Sequence, residues 1–363
     1  MSRILVGMSG GADSSVAALL LKQQGYDIAG AYIKTWANEY DVFGDCPSNE
    51  DIEYAAAISK QLGIDFEVVN LVDTYREKVV DYLIDGYRRG ITPNPDIMCN
   101  REIKFGAFLN YALSQGFEHV ATGHYCRKML IDGTEYIAEG KDDNKDQSYF
   151  LAMVKPDQVK HALFPIGEIE KPRVRELAKE HKLPNAERKD SQGICFLGKV
   201  KINDFLRNYI TDKPGPIVNL DGKVLGEHRG LHHYTIGQRK GIGIPSNHDF
   251  KAYVVIAKDL ETNELKVSFD EPETQGLYCE RLLIHSLSHC ARPFIENKPS
   301  QCRVRYRDPR IGIRSIQAKE KGSYQLEFCE PQRALAPGQI LAFYENELLL
   351  GGAVMVPPGL GGQ

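Results

Sequence analysis

The sequence predicts an α/β chain: an N-terminal domain built on a doubly wound parallel sheet, a small middle domain, and a C-terminal β-barrel-like domain. Three observations carry that expectation. Apolar runs at 3–8, 28–34, 65–70 and 118–123 alternate with helical patterns at 13–24, 50–62, 72–89 and 102–115, the rhythm of strand–helix–strand units. Composition changes near 198–215, and beyond Lys213-Pro214-Gly215 short β runs are broken by Gly, Asp-Gly and Asn-Glu. Finally, 363 residues are enough for two or three separate cores. The expected boundaries are 1–200, 201–278 and 279–363.

The first strand, Ile4 to Met8, runs into Ser9-Gly10-Gly11-Ala12-Asp13-Ser14-Ser15 and then a helix from Val16 to Leu21. Two glycines let the backbone approach an anion, and the first helical turn aims its N–H groups at it. No lysine follows the glycines and no G-x-G-x-x-G is present, which excludes the common triphosphatase and dinucleotide loops. Gly25, Gly63 and Gly116 stand where the next helices should end. Ligands of a parallel sheet bind at its carboxyl edge, so the loop at 9–15, the segment after Lys34 and Thr122-Gly123-His124-Tyr125 should meet there. Cys126 to Glu139 reads as a hairpin turning at Asp132-Gly133. Helical patterns return at 146–163 and 171–182.

Charged residues at 26% and no apolar run near the ~20 residues of a membrane span point to a soluble, cytoplasmic protein with no membrane partner. The start, Met-Ser-Arg followed at once by the first strand, suggests no signal peptide. Eight scattered cysteines without a C-x-x-C pair argue against a disulfide framework or a zinc site. The histidines at 119, 228, 232, 233, 285 and 289 show no ligand spacing with cysteines or carboxylates, so no structural metal is expected. Net charge is −4, but from Arg281 onward eleven Lys/Arg face seven Asp/Glu. The run Arg303-Val-Arg305-Tyr-Arg307-Asp-Pro-Arg310 there has the character of a face for a phosphate backbone and unstacked bases.

Two cysteines stand in unusual company. Cys99 closes Thr92-Pro93-Asn94-Pro95-Asp96-Ile97-Met98, a loop stiffened by two prolines, and precedes the helix expected from 102. A helix N-terminus and Arg101 would both favour its thiolate. Cys195 lies in Lys189-Asp-Ser-Gln-Gly-Ile-Cys-Phe196, a polar stretch that ends between Ile194 and Phe196.

The loop at 9–15 resembles the pyrophosphate loop of the N-type ATP pyrophosphatases, which use ATP to adenylate a carbonyl oxygen. Sulfur carried as a persulfide can then replace that oxygen, with a second thiol attacking the inner sulfur and leaving a disulfide. Such exchange needs Cα atoms within about 4.4–6.8 Å. Taken end to end, the chain resembles the tRNA-uridine 2-sulfurtransferases, the tRNA-specific 2-thiouridylases. The resemblance rests on Gly7 to Ser14, Thr92 to Asn100, Ile103-Lys-Phe105, Ala121 to Tyr125, Lys145 to Leu151, Lys189 to Phe196, Tyr234 to Gly241, Arg305-Tyr306 and Ala336 to Gln339.

The resemblance implies that Gly7, Met8, Ser9, Gly10, Gly11, Ala12, Asp13 and Ser14 cradle ATP, with Mg2+, and that Ile33 and Gly123 touch the nucleotide. It implies that Asn94, Pro95 and Asp96 face the target base, Asp96 serving as general acid/base. Cys99 would be the nucleophile and Cys195 the persulfide carrier. His124, Lys145, Asp146, Gln147, Arg305, Tyr306 and Gln339 are implied tRNA contacts, and a persulfide donor, a cysteine desulfurase or relay carrier, is an implied partner. Ala12 and Ile33 stand where many relatives carry valine and methionine. Residue types alone leave other readings open: His124 as a core histidine, 145–147 as a solvated cap, 234–241 as a structural turn. At the level of function, a lysidine-type ligase would not need Cys195, and an RNA-binding scaffold would not release pyrophosphate.

Overall fold

The computed structural model describes residues 2–36, 48–189, 201–245, 251–272, 274–293 and 300–356. Five parallel strands form the N-terminal sheet: β1 (Arg3–Gly7), β2 (Asp27–Lys34), β3 (Phe66–Asn70), β4 (His119–Ala121) and, after the hairpin β5 (Cys126–Ile131) and β6 (Thr134–Glu139), β7 (Ala162–Leu163). Their order is β3-β2-β1-β4-β7. The central strand shows why both faces must be covered. Ile4 and Val6 point into one cluster with Val16, Ala17 and Val174, while Leu5 points into the other with Phe105, Phe108 and Val120. The first cluster is walled by α1 (Ala12–Gln23), α2 (Ser48–Leu62) and the helix Lys171–Glu180, and the second by the helical run 95–114. This is the doubly wound arrangement expected.

Two expectations for local structure are corrected. The helix expected over 146–163 is three pieces: a 3-10 turn Ser148–Leu151, a short helix Pro156–His161, and β7. Pro156 is the cause, because the residue before a proline is driven out of the helical region, and Lys155 is extended at φ −88° and ψ 158°. The helix expected from 102 begins at Pro95 instead, where Asn94 caps it by accepting the Ile97 N–H at 3.2 Å. Helical geometry then continues through Cys99–Ala107 to Ser114. Cys99 therefore lies beyond the first turn, where the dipole argument for its thiolate weakens.

The middle strands β8 (Gly215–Val218), β9 (Val224–His228), β10 (Tyr253–Asp259) and β11 (Glu264–Phe269) form a sheet in the order β10-β11-β8-β9. The C-terminal strands are β12 (Tyr278–His289), β13 (Ser300–Arg303), β14 (Ile311–Ala318), β15 (Tyr324–Arg333), β16 (Ile340–Glu345) and β17 (Leu348–Met355). They follow the order β12-β15-β14-β13-β16-β17, and β12 pairs again with β17, which closes a barrel. The hairpin turns at Asp132 and Gly133, both at positive φ (49° and 74°), as Asp-Gly predicts. Its second strand then extends the barrel, with Ala138 and Ile137 opposite Leu348 and Leu349.

That pairing takes part of the basic run out of the face expected for a phosphate backbone. Arg303 is held by Asp146 at 2.6 Å and Glu139 at 2.7 Å, and Arg310 also pairs with Glu139. Both guanidiniums lie over the Tyr344 ring, at 5.1 and 5.4 Å. Two of the four arginines thus tie the barrel to the N-terminal domain. Burial raises the Glu139 carboxyl despite its two partners. Among the described residues, no helix is long and apolar enough to cross a membrane.

Candidate functional site

The loop after β1 is folded by its own hydroxyls. Ser14 Oγ accepts the Ser9 N–H at 3.1 Å and donates to the Gly11 carbonyl at 3.1 Å, and Ser15 Oγ donates to the same carbonyl at 2.9 Å. Gly10 takes φ +73°, and a Cβ there would lie 2.6 Å from the Asp51 carbonyl. Gly123, at the end of β4, is the other close approach: a Cβ would lie 2.6 Å from the Ser14 nitrogen and 2.8 Å from the Asp13 carbonyl carbon. Two of the three expected segments therefore meet at the sheet's carboxyl edge. Of the third, residues 37–47 lie outside the described residues. Met8 is buried beneath the loop, its sulfur accepting Ser59 Oγ–H at 3.2 Å, and Ile33 packs on the edges of two clusters.

Around this loop Tyr125 comes from a segment expected there, whereas Lys171, Asn185, Arg188 and Asp51 were missed by sequence reasoning. Lys171 Nζ donates to both oxygens of Asp13 at 2.7 and 2.9 Å, and the Tyr125 hydroxyl donates to Oδ1 at 2.8 Å. Asn185 Nδ2 donates to the Gly10 carbonyl at 2.8 Å, and Arg188 bridges that carbonyl to Asp51. Desolvation raises the Asp51 carboxyl above its ordinary range even with Arg188 beside it. Lys171 supplies the cation that the glycines lack in sequence, but from 158 residues away; no local pattern could have marked it.

The second part of the site is the segment 92–100. Asn94 and Asp96 are half-buried, Pro95 is buried, and Cys99 is 2% exposed. Cys99 sits among Tyr75, Val79, Leu83, Ile103, Phe205 and Leu206. Arg101, expected to favour its thiolate, pairs with Glu102 at 2.9 Å. Asn100 donates to the Phe150 carbonyl at 3.1 Å, while its own Oδ1 is buried without a hydrogen-bond partner among the described residues. Cys195 lies outside the described residues. Both flanks of its segment are anchored, however: Asn185 and Arg188 on the loop after β1, Phe205 and Leu206 in the Cys99 cluster.

The remaining candidates divide by burial. His124 is 7% exposed, packed between Phe105 and Phe164, with Nδ1 2.8 Å from Thr122 Oγ1; burial holds its pKa well below the ordinary value. Asp146 is buried and accepts the Gly140 and Ser148 N–H groups beside Arg303. Gln147 exchanges hydrogen bonds with the Tyr125 backbone. Lys145 is half-buried in the turn that begins at Asp142. Asp143, Asn144, Asp146, Arg303 and Arg307 line a cavity of about 310 Å³ beside this turn. Arg305 donates to the Arg333 and Ala334 carbonyls, and the Tyr306 ring packs on Phe150 at 4.5 Å. Gln339 reaches from the barrel to the Thr92 carbonyl at 2.7 Å.

This arrangement offers a tight glycine loop able to cradle an anion, a helix carrying Cys99 in the same domain, and a barrel hydrogen-bonded to the segment that leads into that helix. Models of three protein families match the chain: "tRNA methyl transferase HUP domain" over residues 2–199, "tRNA methyl transferase PRC-barrel domain" over 203–269, and "Aminomethyltransferase beta-barrel domain" over 280–355. The tRNA-specific 2-thiouridylase MnmA of Akkermansia muciniphila is 51% identical over 352 residues, covering 97% of this chain and 98% of the relative. That of Streptococcus mutans is 43% identical over 364 residues, covering 98% and 95%. The chain belongs to the tRNA-specific 2-thiouridylase family.

Proposed function

We propose that this chain catalyses ATP-dependent 2-thiolation of the wobble uridine of tRNA, releasing AMP and pyrophosphate. ATP, with Mg2+, binds the loop Gly7–Ser14, whose course depends on Gly10 and Gly123 passing close to the backbones of Asp51 and Ser14, and the first turn of α1 offers its N–H groups to the phosphates. Uridine O2 attacks the α-phosphorus and pyrophosphate leaves, so the base carries AMP at C2. Ring chemistry requires the base to leave the anticodon stack, and Asn94, Pro95 and Asp96 receive it, with Asp96 moving the proton. The terminal sulfur of a Cys195 persulfide attacks C2 and AMP departs; Cys99 attacks the inner sulfur, leaving a Cys99–Cys195 disulfide that a reductant must reopen. An external persulfide donor reloads Cys195.

The observation that carries this reading is the pair of anchors on the Cys195 segment. Arg188 touches Gly10 of the phosphate loop, and Phe205 and Leu206 pack in the cluster that holds Cys99. Cys195 is seven residue steps from Arg188, a reach of roughly 25 Å when extended, so a thiol tethered between loop and cluster can serve both. Arg305, Tyr306, Gln339, His124 and Lys145 to Gln147 are assigned to holding the tRNA, directly or through the loops they brace.

Purified protein, ATP, tRNA and a persulfide source should yield 2-thiouridine, measured by mass spectrometry of tRNA nucleosides. Cys99→Ser and Cys195→Ser should each abolish it while ATP binding persists. Full turnover by Cys195→Ser would favour a ligase-type reaction, and absence of tRNA-dependent pyrophosphate release would exclude adenylation.

A further inference from the structure

The middle domain carries a cluster that the fold assembles and the thiolation chemistry does not use. Asp212 lies in the link between the helix Ile202–Leu206 and β8, and His232 and His233 lie in the 3-10 turn Leu231–His233 after β9. His233 Nε2 is 2.6 Å and His232 Nε2 3.2 Å from the same oxygen, Asp212 Oδ1. The imidazole rings stand 4.0 Å apart. Both histidines are 6% exposed, whereas the Asp212 side chain is 37% exposed and opens the cluster to solvent.

One carboxylate oxygen does not satisfy both rings. His233 takes the hydrogen bond, and His232 Nε2 is left buried, aimed at the carboxylate, with no hydrogen-bond partner among the described residues. A cation between the three groups would resolve that, accepting a lone pair from each imidazole and from the carboxylate. Metal–ligand lengths of about 2.0–2.2 Å in a tetrahedral site put donor atoms roughly 3.3 Å apart. One donor atom from each residue already lies within 4.8 Å of the other two.

We propose that Asp212, His232 and His233 form a Zn2+ site with its fourth position open to water. Two imidazoles and one carboxylate suit zinc, while Mg2+ and Ca2+ demand more oxygen ligands. Arg229 and Lys258 lie within electrostatic range and oppose a cation held by charge alone, which disfavours the hard ions further. Binding displaces the proton that His233 Nε2 now donates. The ion ties the link leaving the Cys99-packing helix to the turn of the middle domain, so its role is to fix that junction. The histidines are adjacent in sequence but Asp212 lies twenty residues away, so their convergence is a product of the fold.

The test uses full-length protein freed of metal with a chelator and titrated with Zn2+ in excess Mg2+. One equivalent should bind, raising the melting temperature, and Co2+ should give the absorption of a tetrahedral site without thiolate charge-transfer bands. Asp212→Asn and His232→Gln should each weaken Zn2+ binding by at least about tenfold, the lower end of what removing even an outer-shell partner does. Cys99→Ser with Cys195→Ser should leave it intact. The proposal fails if wild type binds no stoichiometric Zn2+, if Asp212→Asn and His232→Gln both bind normally, or if the cysteine variant loses binding. Should the variants not fold, the Co2+ spectrum of wild type still decides, since thiolate bands or no tetrahedral band would overturn the site.

Discussion

The Gln339 side-chain amide donates to the Thr92 carbonyl at 2.7 Å, and the Thr92 N–H donates in turn to the Pro337 carbonyl at 2.7 Å. The barrel thereby holds the start of the segment that carries Asn94, Asp96 and Cys99. Gln339→Ala removes one of these two braces. A displacement of about 1 Å at a reacting group costs on the order of 100-fold. Thiolation kcat should fall roughly 10–100-fold while ATP affinity stays unchanged, read by single-turnover assay and nucleotide binding. Loss of tRNA affinity alone, with kcat intact, would make Gln339 a surface contact rather than a brace.

Gly123→Ala places a methyl 2.6 Å from the Ser14 nitrogen, against backbone that has no rotamer to yield. Overpacking of this kind costs about 1–3 kcal/mol. The expected result is a lower urea midpoint together with loss of ATP binding, because the displaced atoms are those of the cradle itself.

Lys171 and Asp13 form a half-buried pair whose side chains are 13% and 31% exposed. With no lysine in the loop, Lys171 and Arg188 are the cations that contact it among the described residues, and Lys171 does so through Asp13. Lys171→Met should raise KM for ATP by about tenfold or more, the scale of one lost charge-assisted contact of roughly 1.5–3 kcal/mol. An unchanged KM with reduced stability would confine Lys171 to bracing Asp13.

Arg303 meets two carboxylates, the buried Asp146 and the half-buried Glu139. Arg303→Met takes away the cation paired with Asp146 and leaves Glu139 with Arg310, and removing one partner of such a network costs about 3 kcal/mol. Denaturant unfolding should show that loss, whereas Arg307→Met, on the neighbouring cavity wall, should leave the midpoint nearly unchanged.

His124 titrates well below 6.5 in the folded protein, first because of burial and then because of Lys104. The unfolded chain takes up that proton near pH 6.5 and the folded chain does not. The stability it confers is therefore complete above pH 6.5 and is lost as pH falls toward the folded pKa, at about 1.4 kcal/mol per pH unit. Burial lowers His119, His228, His232, His285 and His289 in the same direction, which steepens the wild-type slope. Urea unfolding between pH 6.5 and 5.5, with chelator present, should show a shallower slope for His124→Gln.

Short-range pattern determined what depends on neighbours in the chain. The continuous apolar run Ile4-Leu5-Val6 specified a buried strand, Asp132-Gly133 specified a tight hairpin, and the serines and glycines after β1 specified a tight, hydroxyl-bonded loop into a helix. Those features follow from backbone geometry and local hydrogen bonds, so residue order suffices. It failed where a proline redirected a helical pattern, as at Pro156, and where a helix was extended backward by the Asn94 cap. Only the tertiary structure decided the partners of charges and polar groups: Lys171 on Asp13, Arg303 on Asp146, Gln339 on Thr92, Asp212 on two histidines. Each joins segments far apart or differently oriented in the chain, and side-chain chemistry becomes specific only after packing of the apolar clusters has set those distances.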